Sequence, residues 1–209
     1  MFGLWDRYVV PPLISCACAT KPFMKQREKI VPQAEGVVLE IGCGSGINFD
    51  YYDPLKVTHL HAIDPAPGMT ARAQKCWQNQ ARGMRCSVHT CGAEAVPLED
   101  QSVDTAVITF VLCTIPDWQA ALTELRRLLK PSGKVLFSEH GLAPDPDVAK
   151  WQRRIEPVWK RLAGGCHLTR DTPFMFTAEG FEIDRLEHMY LPSTPKIAGD
   201  ASWGNARVA

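Results

Sequence analysis

The sequence lacks net charge: 23 Lys and Arg stand against 23 Asp and Glu. Neutralising several phosphates needs a basic excess, so nucleic acid is not an expected partner. No apolar run approaches the roughly 18 residues of a membrane-spanning helix, and no fixed-period repeat is present. CxxC pairs are absent as well, although there are eight cysteines, at 16, 18, 43, 76, 86, 91, 113 and 166. A chain of 209 residues with 45% hydrophobic content buries a core without disulfide staples, so thiols in a reducing cytoplasm are expected. The stretch from Val9 to Cys16 is too short for a signal peptide, is broken by Pro11 and Pro12, and has Asp6 offsetting Arg7. A single cytoplasmic domain follows, with membrane contact not expected.

What is present is alternation. Apolar runs at Val37–Gly42, His59–Asp64, Arg85–His89, Val103–Phe110 and Lys134–Ser138 read as strands, the last following a turn at Lys130–Gly133. Between them the clearest helix places Trp118, Ala121, Leu122, Leu125, Leu128 and Leu129 on one face, with Asp117 as its cap. Asp145-Pro146-Asp147 opens another helix, where Trp151, Ile155, Val158 and Leu162 share one face, Trp151 and Trp159 are expected to bury it against the sheet, and Pro157 is expected to kink or split it. Phe181–Leu191 reads as a late strand. Strands alternating with helices predict an open, mostly parallel α/β sheet, whose ligands sit beyond the strand carboxyl ends.

The first strand runs into Glu40-Ile41-Gly42-Cys43-Gly44-Ser45-Gly46. This is neither G-x-G-x-x-G nor a phosphate-binding loop, because Ile47 follows and no Lys-Ser/Thr pair comes after it. Glycines spaced G-x-G-x-G admit a ligand close to the backbone, and the acid two residues earlier favours a nearby cation. Asp64, closing the second strand 24 residues after Glu40, suits two ribose hydroxyls. A nucleoside with a cationic tail, S-adenosylmethionine, fits both features. No metal is expected: His59 and His61 share a strand face but lack further ligands.

With these motifs the chain resembles the class I S-adenosylmethionine-dependent methyltransferases over roughly residues 35–191. The resemblance implies a Rossmann-like seven-strand sheet in the order 3-2-1-4-5-7-6, with strand 7 antiparallel. The methyltransferase domain is expected over 36–209, and the aromatics and prolines ahead of it read as an N-terminal lid segment over 1–35. Trp5, Tyr8, Pro11, Pro12, Phe23 and Met24 would line that lid. Cofactor contacts are implied at Glu40, Gly42, Cys43, Gly44, Gly46, Asn48, Asp64, Pro65, Met69, Ala93, Glu94, Phe110, Val111 and Cys113. Many members carry Asp before the Ala-Glu pair that meets adenine. Gly92 stands there in this chain, leaving the backbone or Glu94 for that contact.

Asp100–Asp104, Phe110–Ile115, Glu139-His140 and Gly165-Cys166-His167-Leu168-Thr169-Arg170 are similar to segments of the mammalian membrane-associated thiol S-methyltransferases. Their small bacterial relatives, often called phosphatidylethanolamine N-methyltransferase-like, are more similar still. The resemblance implies methyl transfer to a small-molecule acceptor, preferably a thiol or sulfide, releasing S-adenosylhomocysteine. His140, beside Glu139, is the expected base or thiolate-stabilising donor, with His167 and Arg170 closing the site from the other side. N-methylation of an amine or of phosphatidylethanolamine is the first alternative. A cofactor-binding regulator without catalysis is the second.

Overall fold

The computed structural model describes residues 20–79 and 83–209. Trp5, Tyr8, Pro11 and Pro12, assigned above to a lid, lie outside those residues. Seven strands form one sheet: β1 (Gly36–Ile41), β2 (Val57–Asp64), β3 (Arg85–Thr90), β4 (Val103–Thr109), β5 (Leu129–His140), β6 (Phe181–Tyr190) and β7 (Asp200–Val208). Their order is β3-β2-β1-β4-β5-β7-β6. The first five run parallel, while β7 is antiparallel to both β5 and β6. The implied topology is thus the observed one.

The helices are α1 (Lys21–Ile30), α2 (Pro67–Gln78), α3 (Trp118–Leu128), α4 (Pro146–Leu162), α5 (Thr172–Ala178) and the single turn α6 (Lys196–Gly199). Strand side chains alternate between two cores. Leu39 and Ile41 of β1 join Leu122, Leu125 and Phe176 on one face of the sheet. Val38 joins Ile30, Ala73 and Trp203 on the other. The α3 stripe is buried as its spacing predicts, and Asp117 accepts from the Ala120 amide as its cap.

Three expectations are corrected. Trp151 does not bury α4 against the sheet: it is 55% exposed, as are Val158 (60%) and Leu162 (58%), while Ile155 and Trp159 are half-buried. Ala149 and Gln152 supply the buried face instead, and Gln152 ties the Gly141 carbonyl and the Ala143 amide to α4. Pro157 leaves α4 unbroken. Both Pro157 and Arg153, whose carbonyl loses its amide partner to the proline, are solvent-exposed, so water can satisfy that carbonyl. Finally, Lys130–Gly133 is no turn before a strand but an excursion within β5. Between the pairs Val103–Leu129 and Thr105–Lys134 the register shifts, and the extra residues bulge outward around the exposed Pro131.

Candidate active site

The carboxyl ends of β1, β2, β4 and β5 bring the loops that follow them to one edge of the sheet. After β1 the chain turns through Gly42 and Gly44, both at positive φ (68° and 55°), a region costly for a residue bearing Cβ. The two differ in what surrounds them. A Cβ on Gly42 would strike the Val111 side chain, whereas one on Gly44 would meet nothing within 4 Å. Gly42 therefore packs the loop against the segment after β4, and Gly44 faces open space, the crevice expected beyond the strand carboxyl ends.

Two substitutions separate these roles. Gly42→Ala should destabilise the fold by about 2–3 kcal/mol through overpacking and strain. Gly44→Ala should cost only about 1 kcal/mol yet weaken cofactor binding about tenfold or more, because its methyl projects into the crevice. Denaturant melts and calorimetry on both variants check this; equal effects on stability would contradict it.

Asp64 braces the crevice from the side. Its Oδ2 accepts from the Gly44 amide at 3.1 Å and its Oδ1 from the Ala66 amide at 2.9 Å. Burial raises its pKa, and those two amide bonds work against the rise. A carboxylate has about four lone-pair sites, so two remain for a ligand's hydroxyls. Pro65 is exposed and Met69 half-buried at the start of α2, while Ala93 is buried after β3. A side chain at Gly92 would run into the Glu94 carboxylate, so Glu94 occupies the volume an Asp at 92 would enter.

Glu40 and Asn48 are tied into a buried hydrogen-bond network beside Asp64. The Glu40 oxygens accept from Asn48 Nδ2 at 3.0 Å and from the Tyr52 hydroxyl at 2.9 Å. Asn48 Oδ1 in turn accepts from Arg27 of α1 at 2.8 Å, and Arg27 also donates to Thr109 Oγ1 at 2.6 Å. This buried network fastens α1 to the ends of β1 and β4. Phe23 adds an edge-on contact with Phe110, ring centroids 4.8 Å apart. Phe110 itself has φ +56°, a conformation that carries strain where a strand end must turn sharply.

Burial lifts the Glu40 carboxyl to about 7, although the Tyr52 and Asn48 bonds and the Arg27 charge oppose the rise. Its folded pKa lies above the ordinary 4.5, so its contribution to stability is full below about pH 4.5 and is lost as pH rises through about 7. Glu40→Gln should lessen that loss by on the order of 3 kcal/mol in urea melts across the interval. Parallel curves for the two proteins would contradict it.

The segment after β4 holds the second half of the site. Glu139 of β5 accepts the Val111 amide at 2.8 Å, and burial pushes its carboxyl up to about 7. Arg170 donates to the Leu112 carbonyl. Its own carbonyl accepts from Leu142, so Arg170 joins the 110–114 and 141–143 loops. Taking its charge out of water lowers its pKa. The His167 amide donates to the Cys113 carbonyl, but its ring turns to Glu156 of α4 at 2.9 Å. His167 and Arg170 are thus engaged in holding loops together.

His140 is the last residue of β5, at the same edge of the sheet. Its Nε2 stands 3.3 Å from Cys166 Sγ, which also accepts from the Trp159 indole at 3.4 Å. Cys113 completes the group, with the three donor atoms all within 4.8 Å of one another. The Cys113 contact, followed by His140 and Trp159, holds the Cys166 thiol well below its usual range. Burial works against charge on His140, yet the Cys166 hydrogen bond and the nearby acidic groups raise its pKa on balance. Sequence reasoning singled out His140 and Cys113 separately and missed Cys166, because no local spacing links three residues on three different segments.

Comparison with known proteins bears on the family and the fold. A family model described as "Methyltransferase domain" matches residues 39–137. The chain is 37% identical over 175 residues to rat thiol S-methyltransferase TMT1B, covering 80% of this chain and 70% of that protein. It is 31% identical over 187 residues to human thiol S-methyltransferase TMT1A, covering 88% and 75%. Among solved structures, a methyltransferase from Methanosarcina mazei superposes with TM-score 0.65 at 20% identity, covering 84% of this chain and 93% of that one. Geranyl diphosphate methyltransferase in complex with its cofactor superposes with TM-score 0.68 at 10% identity, covering 88% and 84%. The open space above Gly44 and the spare lone pairs of Asp64 fit the same group. A glycine crevice braced by an acid, this strand order and these relatives have one common explanation: the chain belongs to the class I S-adenosylmethionine-dependent methyltransferases.

Proposed function

We propose that this methyltransferase transfers its methyl group to a small thiol or sulfide, seated beside Cys113, His140 and Cys166. The observation that carries the reading is likeness to thiol S-methyltransferases at 31–37% identity over four-fifths or more of the chain. S-adenosylmethionine, when bound, supplies a methyl on a cationic sulfur and leaves as S-adenosylhomocysteine. The residues of this chain do the rest. Asp64 and Gly44 fix the nucleoside, and positioning of this kind supplies much of the rate of an in-line displacement.

The acceptor must arrive as a thiolate, whereas a thiol in water has a pKa near 8.5. His140, itself buried, supplies a cationic or hydrogen-bonding neighbour, which favours the thiolate and offsets the cost of taking it out of water. Glu139 and Arg170 hold the 110–114 loop that carries Cys113. Helix α1, with Phe23 against Phe110, serves as the inner part of a lid over this edge.

Purified protein offered hydrogen sulfide, methanethiol, an aryl thiol, a primary amine and phosphatidylethanolamine vesicles in parallel should release S-adenosylhomocysteine with the sulfur acceptors only. Release with the amine or the vesicles alone would overturn the reading. Cofactor binding without release from any acceptor would mark a non-catalytic binder. No helix among the described residues is long and apolar enough to cross a membrane.

A further inference from the structure

We propose that Cys113, His140 and Cys166 form a binding site for a divalent cation of the zinc class, whose open fourth position takes the acceptor thiolate. The inference rests on the thiol reading above for the identity of that fourth ligand, but the metal site itself does not. Two sulfur donors and one imidazole nitrogen lie within 4.8 Å of one another. Ligands on a tetrahedral zinc, with bonds of about 2.1 and 2.3 Å, stand roughly 3.5–3.8 Å apart. The 3.3 Å separation of His140 Nε2 from Cys166 Sγ is already near that value, so closing the set needs only side-chain adjustment.

The donor types agree. Thiolates and imidazole select zinc over calcium or magnesium. Two protein thiolates and one imidazole leave one position open, the ligand count of catalytic zinc sites and not of closed structural ones. Two thiolates also neutralise the dication, which lowers the cost of holding it in a buried place. The surroundings supply the outer contact: the Trp159 indole, a donor with no acceptor capacity, points at Cys166 Sγ.

The position suits the chemistry. Cys113 lies two residues beyond Val111, whose side chain abuts Gly42 of the cofactor loop. With the site loaded, the dication takes over from His140 the stabilising of the acceptor thiolate: a thiol that coordinates it loses its proton to solvent and stays bound as thiolate. Its sulfur then forms a bond to the methyl carbon as the bond from that carbon to the sulfonium breaks. The electron pair goes to the departing sulfur, which becomes a neutral thioether. The methylated product is a poorer ligand than the thiolate and leaves.

Cobalt(II) titration of the reduced, full-length protein tests the site without reference to turnover. About one equivalent should bind tetrahedrally, giving visible ligand-field bands and a near-ultraviolet sulfur-to-metal charge-transfer band. Cys113→Ser and Cys166→Ser should each lower that charge-transfer band by about half, one of two thiolates being lost. Cys86→Ser, on β3, should leave it unchanged. Circular dichroism of each variant separates loss of ligand from loss of fold.

A cobalt spectrum typical of the hydrated ion, or one unaltered in both folded serine variants, overturns the site. For the fourth ligand, zinc-loaded protein should methylate thiols about tenfold or more faster than chelator-treated protein. Equal rates would overturn the metal's part while leaving the thiol reading standing. Cobalt binding with no thiol methylated would defeat the thiol reading, and with it the acceptor at the fourth position, while the metal site stood.

Discussion

Asp64→Ala should cut affinity for S-adenosylmethionine by two to four orders of magnitude while leaving the sheet intact. Hydrogen bonds to a charged acceptor contribute about 1.5–3 kcal/mol each, and two ribose hydroxyls would lose theirs together. The Gly44 and Ala66 amides lose the same carboxylate, so the crevice loosens as well. Calorimetry reads the effect directly. Glu40→Gln is the informative comparison, since both Glu40 oxygens are engaged by Asn48 and Tyr52 beneath the crevice. Its affinity should stay close to that of the unaltered protein. A loss in Glu40→Gln with affinity kept in Asp64→Ala would mean that Glu40, not Asp64, grips the nucleoside.

His140→Ala should lower turnover with thiols by about a hundredfold or more, with cofactor affinity unchanged. Its ring touches Cys166 and lies away from the Gly44 crevice and Asp64 in sequence and in contacts, which is why binding and turnover should separate. The loss should be greatest well below the thiol's own pKa, where solution supplies little thiolate, and should shrink as pH rises past about 8.5. Turnover equal to that of the unaltered protein across that range would leave His140 a packing residue.

Much of this architecture was legible in the chain because β-α alternation and the α3 stripe are local patterns. Strand β1 and its glycine bend, the acid ending β2 and the Asp117 cap all follow from residue types a few positions apart. The α4 stripe shows where that logic stops. Periodicity at Trp151, Val158 and Leu162 reports that these side chains share a face, but not which body the face meets; Gln152 won the inner side through its bonds to the 141–143 loop. The excursion at Pro131 likewise reads locally as a turn, while the pairing partners in β4 carry the strand past it.

At the site, Glu40 was attractive because of its place before the glycines, yet strand alternation sends its side chain beneath α1 with Val38. His167 and Arg170 form part of a local motif, but their bonds go to Glu156 and to the Leu112 carbonyl. The group of Cys113, His140 and Cys166 was the least visible feature, since its three members meet only when β4, β5 and the segment after α4 converge.

A structure of the protein with S-adenosylhomocysteine and a thiol acceptor tests the central claim most directly. The ribose hydroxyls should lie within hydrogen-bond distance of Asp64, with the homocysteine sulfur facing an acceptor sulfur held at Cys113, His140 and Cys166. A nucleoside bound away from Asp64, or an acceptor seated on a different side of the crevice, would contradict the account.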